Sequence, residues 1–230
     1  MKKRRKDEAA RNRPALHRQP ATTLWLIRHG EVERRYQHVF GGRIDMGLSA
    51  RGRRQAASLA RYLEGRRFDG LYASPMRRVQ ETLAPLLRNG APRPVVAAEL
   101  REVDFGDWTG LGWEEVEARF GTSAFGWLEQ LEQGAMPGGE SAQALRARVE
   151  PVLRELLGRH AGGQVAVVCH GGVIRMALAI LLDWPLPRMA AFEIEYASVT
   201  QVVWSPQKTR LHLVNFTPWK DGVRSPKGRG

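Results

Sequence analysis

One cysteine, Cys169, stands in 230 residues. No disulfide can form within the chain, as expected of a protein made for a reducing compartment. Nor is there an apolar run approaching the ~20 residues a helix needs to cross a bilayer. The N-terminus is basic, but no apolar stretch follows its charges, which argues against a secretory signal. Asp7 and Glu8 interrupt it and serine is missing from its first 20 residues, unlike a mitochondrial presequence. These absences lead us to expect a cytoplasmic protein with no membrane partner. Internal repeats and interior linkers are also lacking, so the length favours a single domain.

What the chain has in excess is positive charge, a formal +12. Its location decides what it means. Residues 1–20 hold eight Lys/Arg against two acids, and residues 220–230 hold four against one. The interior is therefore close to balanced. Residues 1–20 have too little apolar surface to offset the entropy of ordering, and the sequence predicts a disordered basic tail there, a domain at 21–219 and a basic C-terminal tail at 220–230. Charge confined to such tails gives solubility or loose attraction to polyanions; specific nucleic-acid recognition is not expected.

Between the tails, short apolar runs alternate with amphipathic ones. "TTLWLI" and "QVAVVC" are continuous and β-branched, as strands buried on both faces of a parallel sheet are. "GLYASP" and "PVVAAEL" read as further strands. Helical spacing runs through 49–65, with Ser49 as cap, through 75–90, through 141–160, with Ser141 as cap, and through 172–184. Residues 192–216 alternate with period two and predict an antiparallel pair turning at Ser205–Pro206. Strand alternating with helix predicts an α/β fold, a three-layer α/β/α sandwich around a mostly parallel sheet. The stretch 104–140, rich in Gly, Trp and acids, reads as an excursion over one end of that sheet, either a surface loop or a cover for a site.

Two strands end in histidine followed by glycine, at Arg28–His29–Gly30 and at His170–Gly171–Gly172. In open α/β sheets ligands bind beyond the carboxyl ends of the strands. If these two are neighbours, both imidazoles enter one crevice, and the helix that follows offers free N–H groups to an anion.

The order "LIRHGE", "FGGRIDMGLSARGRRQA", "SPMRRVQET", "LREVDFGDWTG", "PGGES" and "VVCHGGVIR" resembles the histidine phosphatase superfamily, which includes phosphoglycerate mutase and α-ribazole-type phosphatases. The resemblance spans roughly residues 22–216. It implies a phosphoglycerate mutase-like fold and a metal-independent phosphomonoesterase with no cofactor, acting on a small phosphorylated metabolite. His29 would be the nucleophile and Glu102 the general acid, then base. Arg28, Arg78 (not Arg77) and His170 would hold the phosphoryl group, for which the planar guanidinium is better shaped than lysine. Two places depart from the family pattern: Val32 and Arg35 stand where many members have Thr and Asn, and Thr109 replaces an acid in Asp107–Trp108–Thr109–Gly110.

Three other readings compete. "CHGGVIR", Cys169 to Arg175, has the spacing of a cysteine-dependent phosphatase loop. It lacks the usual preceding histidine (Val168) and following hydroxyl (Met176), and leaves Arg28, His29 and Glu102 without a role. A non-catalytic phosphate-binding module would be marked by loss of the nucleophile or the acid, and both are present. A mutase would need a longer insertion after the acidic loop, and Asp104, Asp107, Glu114, Glu115 and Glu117 would repel a bisphosphate. No metal site is expected, because His17, His38, His160 and His212 are scattered without ligand spacing. A homodimer is compatible with the sequence, which does not specify the phosphoester.

Overall fold

The computed structural model describes residues 20–220. The expected tails fall outside them except for Pro20 and Lys220. The first strand, β1 (Thr22–Arg28), pairs in parallel with β4 (Gln164–Cys169), and β4 in parallel with β2 (Gly70–Ala73). A two-residue β3 (Val95–Val96) continues the parallel set at one edge. On the other side β5 (Val199–Ser205) and β6 (Lys208–Phe216) add antiparallel strands, giving the order β3-β2-β4-β1-β5-β6. β1 and β4, the two strands read as fully apolar, are the central pair. They are covered on both faces, as parallel strands require.

Side chains alternate along each strand and feed two cores. Trp25, Ile27, Ala166 and Val168 pack under α1 (Ala50–Tyr62) and α2 (Arg77–Arg88), through Leu59, Val79 and Leu83. Leu24, Leu26, Val165, Val167 and Cys169 pack under α5 (Ala142–Arg159) and α6 (Gly171–Leu182). The expected three layers are therefore present. Ser49 and Ser141 cap α1 and α5 as the sequence predicts, accepting from Gly52 N and Ala144 N. The chain leaves β1 for one face and β4 for the other. That divergence of adjacent parallel strands opens the crevice in which such sheets bind ligands.

Two expectations are corrected. "PVVAAEL" is not a full strand: after Val96 the chain turns into a 3-10 turn at Ala98–Leu100, because the sheet edge offers no further neighbour. The period-two run from 192 becomes strand only at Val199; residues 192–198 cross the strand ends instead. The stretch 104–140 folds into α3 (Trp113–Phe120) and α4 (Trp127–Gln133), and it buries Phe105, Trp108, Val116, Leu128 and Leu131 in the larger core. It is a built wall, not a bare loop.

Gly30 and Gly52 show how tightly β1 and α1 are joined. A Cβ on Gly30 would lie 2.7 Å from Gly52 O, and one on Gly52 would overlap the Glu31 carbonyl oxygen. Gly52→Ala should therefore destabilise the protein by about 1–3 kcal/mol in chemical denaturation. Gly158→Ala, on an exposed turn of α5 with nothing within 4 Å of the new methyl, should be neutral or stabilise by up to about 1 kcal/mol. Equal effects would contradict this packing.

Candidate active site

The ends of β1 and β4 are locked in register, Arg28 opposite Cys169, and the His29 amide donates to the Cys169 carbonyl at 3.1 Å. The next residues, His29 and His170, are consequently neighbours, with ring centroids 5.2 Å apart. His29 is 4% exposed. Its Nδ1 lies 2.8 Å from the Gly30 carbonyl oxygen. A carbonyl can only accept, so Nδ1 carries the proton and Nε2 keeps its lone pair. Burial, then the Arg78 and Arg28 charges, hold the imidazole well below its ordinary pKa, against the smaller opposing pull of the Gly30 carbonyl. A neutral imidazole with a free Nε2 is a nucleophile at neutral pH.

Arg78 comes from the first turn of α2 and is 2% exposed. Its two terminal nitrogens donate to Ile44 O and Gly42 O, both at 2.9 Å, and its Nε donates to His170 Nδ1 at 3.2 Å. Burial lowers it to about 10, still cationic at neutral pH. Arg77, the alternative arginine, points outward and pairs with Glu81 at 2.7 Å. Thr82 ties this helix to the strand end: its hydroxyl accepts from Gly30 N and donates to Arg78 O. His170 is fully buried. With Nδ1 accepting from Arg78, its Nε2 donates to Ser74 Oγ at 2.8 Å. It stands behind His29 and steadies Arg78, and neither nitrogen is spare in this arrangement.

Glu102 reaches the crevice from the acidic loop. Its Oε1 accepts from Val103 N (3.0 Å) and Gly172 N (3.1 Å), while Oε2 has only a 3.5 Å approach to Gly172 N. The Glu102 side chain thus caps an otherwise unpaired amide in the first turn of α6. A side chain at Gly172 would displace it, since a Cβ there would sit 2.7 Å from Glu102 Oε1. Arg148 fixes the loop from behind. It donates to the carbonyls of Glu99, Arg101 and Glu102 and forms a paired contact with Glu140 at 2.6 and 2.8 Å. Glu140 is the acid of "PGGES".

The crevice is a cavity of about 220 Å³ lined by Arg28, His29, Arg78 and Glu102. Among the other lining residues, two stand next to the cationic groups. Tyr196 covers Arg28, whose guanidinium carbon is 4.1 Å from its ring centre, and faces His29 at 5.6 Å. Arg175, which ends "VVCHGGVIR" and was given no site role, donates to Phe192 O and Gly171 O; burial lowers it to about 10. Arginine after a His–Gly pair was a usable signal for Arg175, whereas nothing marked Tyr196. Of the departures, Val32 is buried in the wall and Arg35 is exposed and paired with Glu33. Asp104, Asp107, Glu114, Glu115 and Glu117 do not line the cavity, so repulsion by them is no argument against a bisphosphate. Cys169 faces the core, and burial pushes its thiol far above the usual range, which rules out the cysteine-loop reading. Among the described residues no group of His, Cys, Asp or Glu is arranged to hold a metal.

A buried neutral histidine between guanidiniums, with one carboxylate opposite, at the ends of two parallel strands: these define a phosphoryl-transfer enzyme. The histidine phosphatase superfamily (branch 1) model matches residues 24–217, and the chain belongs to that family. It is 29% identical over 193 residues to the adenosylcobalamin/α-ribazole phosphatase of Escherichia coli, covering 84% of this chain and 95% of that one. It is 37% identical over 167 residues to a 2,3-bisphosphoglycerate-dependent phosphoglycerate mutase of a Methylobacterium strain, covering 70% and 80%. Its fold resembles that of the mycobacterial glucosyl-3-phosphoglycerate phosphatase, with a TM-score of 0.77, 30% identity and coverage of 85% and 99%.

The state of His29 has a kinetic consequence. A lowered pKa keeps the imidazole unprotonated further into acid, so the nucleophile survives where an ordinary histidine is half protonated. The acid limb of kcat/KM should therefore lie below pH 6.5. A limb centred at the ordinary value would mean that His29 is solvated during turnover.

Proposed function

We propose that the protein is a metal-independent phosphomonoesterase working through a phosphohistidine, with a small phosphorylated metabolite as substrate and the cytoplasm as its place. The observation that carries this reading is the protonation of His29: Nδ1–H is engaged by Gly30, and Nε2 is free between Arg28 and Arg78. The Nε2 lone pair attacks phosphorus, and the phosphorus–oxygen bond to the leaving group breaks. Glu102 supplies the proton to that oxygen; no other carboxylate among the described residues lines the cavity. A water then attacks the phosphohistidine, Glu102 takes its proton, and the nitrogen–phosphorus bond breaks to release phosphate. Arg28 and Arg78 balance the charge of the transferring group throughout, which is the main task of a protein in this chemistry. His170 supports the transfer by holding Arg78 and backing His29.

Hydrolysis is favoured over mutase turnover by the size of the wall. A mutase must hold its phosphoenzyme away from water while the product reorients. Here α3 and α4, of 8 and 7 residues, form one side of a cavity that remains open. Phosphate should accumulate from a monoester without 2,3-bisphosphoglycerate, and chelators should not slow it.

His29→Ala should abolish hydrolysis of p-nitrophenyl phosphate, while Cys169→Ala should leave it within about two-fold. The reverse pattern would overturn the assignment. A trapped phosphoenzyme should be acid-labile and alkali-stable, as phosphoramidates are.

Glu102→Gln should slow alkyl phosphates much more than p-nitrophenyl phosphate, whose leaving group needs little protonation. General acid catalysis contributes roughly 10²–10⁴-fold. Equal losses on both esters would mean that Glu102 positions the substrate instead.

A further inference from the structure

The cavity has two unlike halves. Its floor is the cationic clamp of Arg28, His29, Arg78 and Arg175, with Glu102. The rest of its wall, where the leaving group must lie, is Tyr36, Phe40, Phe105, Trp113 and Trp127 with Val32, Val39 and Met46. Ser, Thr, Asn, Gln and Asp side chains are absent from its lining among the described residues. The terminal nitrogens of Arg175 are turned to the Phe192 and Gly171 carbonyls, and the Gly42 carbonyl is taken by Arg78. Beyond the floor, the side-chain hydrogen-bonding groups of the lining are the Tyr36 and Tyr196 hydroxyls and the Trp113 and Trp127 indole nitrogens, each carried on a large ring.

The aromatic wall is continuous. Phe40 meets Phe105 at 4.9 Å and Trp113 at 5.6 Å, and Phe105 meets Trp127 at 5.5 Å. It runs outward as well: Trp113 contacts Phe125 at 4.8 Å, and Phe125 is 79% exposed. An exposed phenylalanine beside a partly exposed tryptophan at the mouth of a cavity extends its apolar surface to the outside.

We infer that the substrate is the phosphomonoester of an apolar alcohol, with the hydrocarbon body lying against Phe40 and Trp113 and pointing toward Phe125. This rests on the phosphatase reading above and names the substrate class for the same site. An apolar body is removed from water by this wall, whereas sugar hydroxyls laid against the faces of Phe40, Phe105 and Trp113 would lose water without a partner there.

The test is a series of straight-chain alkyl phosphates from ethyl to octyl. Their leaving oxygens have nearly the same basicity, so chemistry stays constant and kcat/KM reads contact with the wall. It should rise roughly two- to four-fold for each added CH₂ and exceed the values for glucose 6-phosphate and phosphoserine. The double variant Trp113→Gln/Phe125→Gln should flatten the dependence on chain length with its melting temperature retained; should it fail to fold, the wild-type series decides alone. A flat or falling series, or phosphoserine or glucose 6-phosphate preferred to the longer alkyl esters, would overturn the inference, and preference for phosphoserine would assign Arg175 to a carboxylate. Turnover of p-nitrophenyl phosphate that is lost in His29→Ala, beside a flat series, leaves the phosphatase reading intact and removes only this one. Phosphate release from none of these esters would overturn both.

Discussion

The parallel pairing of β1 with β4 is the constraint from which the site follows. Its last rung, the His29 amide on the Cys169 carbonyl, sets two histidines of distant sequence side by side. Alternation along the strands then assigns every neighbour. Arg28 falls on the α6 face, beside Gly171 and under Tyr196, while the main chain turns at Gly30 against Gly52 of α1. A slip of one residue in this register would move Arg28 to the wrong face and separate the imidazoles. Register between buried apolar strands is strongly specified, so the geometry of the site rests on hydrophobic packing remote from it.

Placing cations in that crevice is costly, and the surrounding backbone shows how the cost is met. Arg78 is nearly inaccessible, but its N–H groups find two carbonyls and an imidazole nitrogen. Hydrogen bonds to charged groups contribute about 1.5–3 kcal/mol each, and leaving such a group unpaired costs more. Arg28 and Arg175 donate to the Ile194 and Phe192 carbonyls, and the segment 192–198 is further held at the strand ends, where Ser198 O accepts from Arg28 N and Asn215 Oδ1 accepts from Glu195 N. Ala197 takes a left-handed conformation there (φ 51°) and returns its amide to the His29 carbonyl. The same contacts that stabilise the buried charges bring Tyr196 over His29. Electrostatic satisfaction and site architecture are one set of bonds.

This explains what could be read from the amino-acid order. The sheet core, the capped helices and the strand-end pairs Arg28–His29 and His170–Gly171 are local patterns and can be read from the sequence, whereas Arg78 and Glu102 come from the family resemblance alone. The structure buries Arg78 beside the two imidazoles and turns Arg77 outward to Glu81. The run 192–198 alternates like a strand but crosses the strand ends: Ile194 and Ala197 are buried, and the Phe192 and Ile194 carbonyls accept from arginines rather than from a ladder partner, which period alone cannot distinguish. Tyr196 and the Arg148–Glu140 brace depend on long-range contacts with no local signature. The role of His170 needed hydrogen-bond geometry: sequence brings an imidazole to the site, and only the Arg78 and Ser74 contacts show that it faces inward.

Catalysis and selectivity occupy different parts of the chain. Arg28, His29 and His170 sit at strand ends and Arg78 in the first turn of a helix, all supported by the two cores. The aromatic wall belongs to 104–140 and to Tyr36 and Phe40, the latter bridged to Thr109 in the same excursion. Glu102 lies at the junction, and Arg148 with Glu140 fastens that junction to α5. Side chains on the wall can therefore change without disturbing the hydrogen bonds that hold His29 and Arg78. The cationic floor and the wall of Tyr36, Phe40, Phe105, Trp113 and Trp127 are thus supported by different parts of the fold, the one by the strand ends and the other by the excursion and the segment before α1.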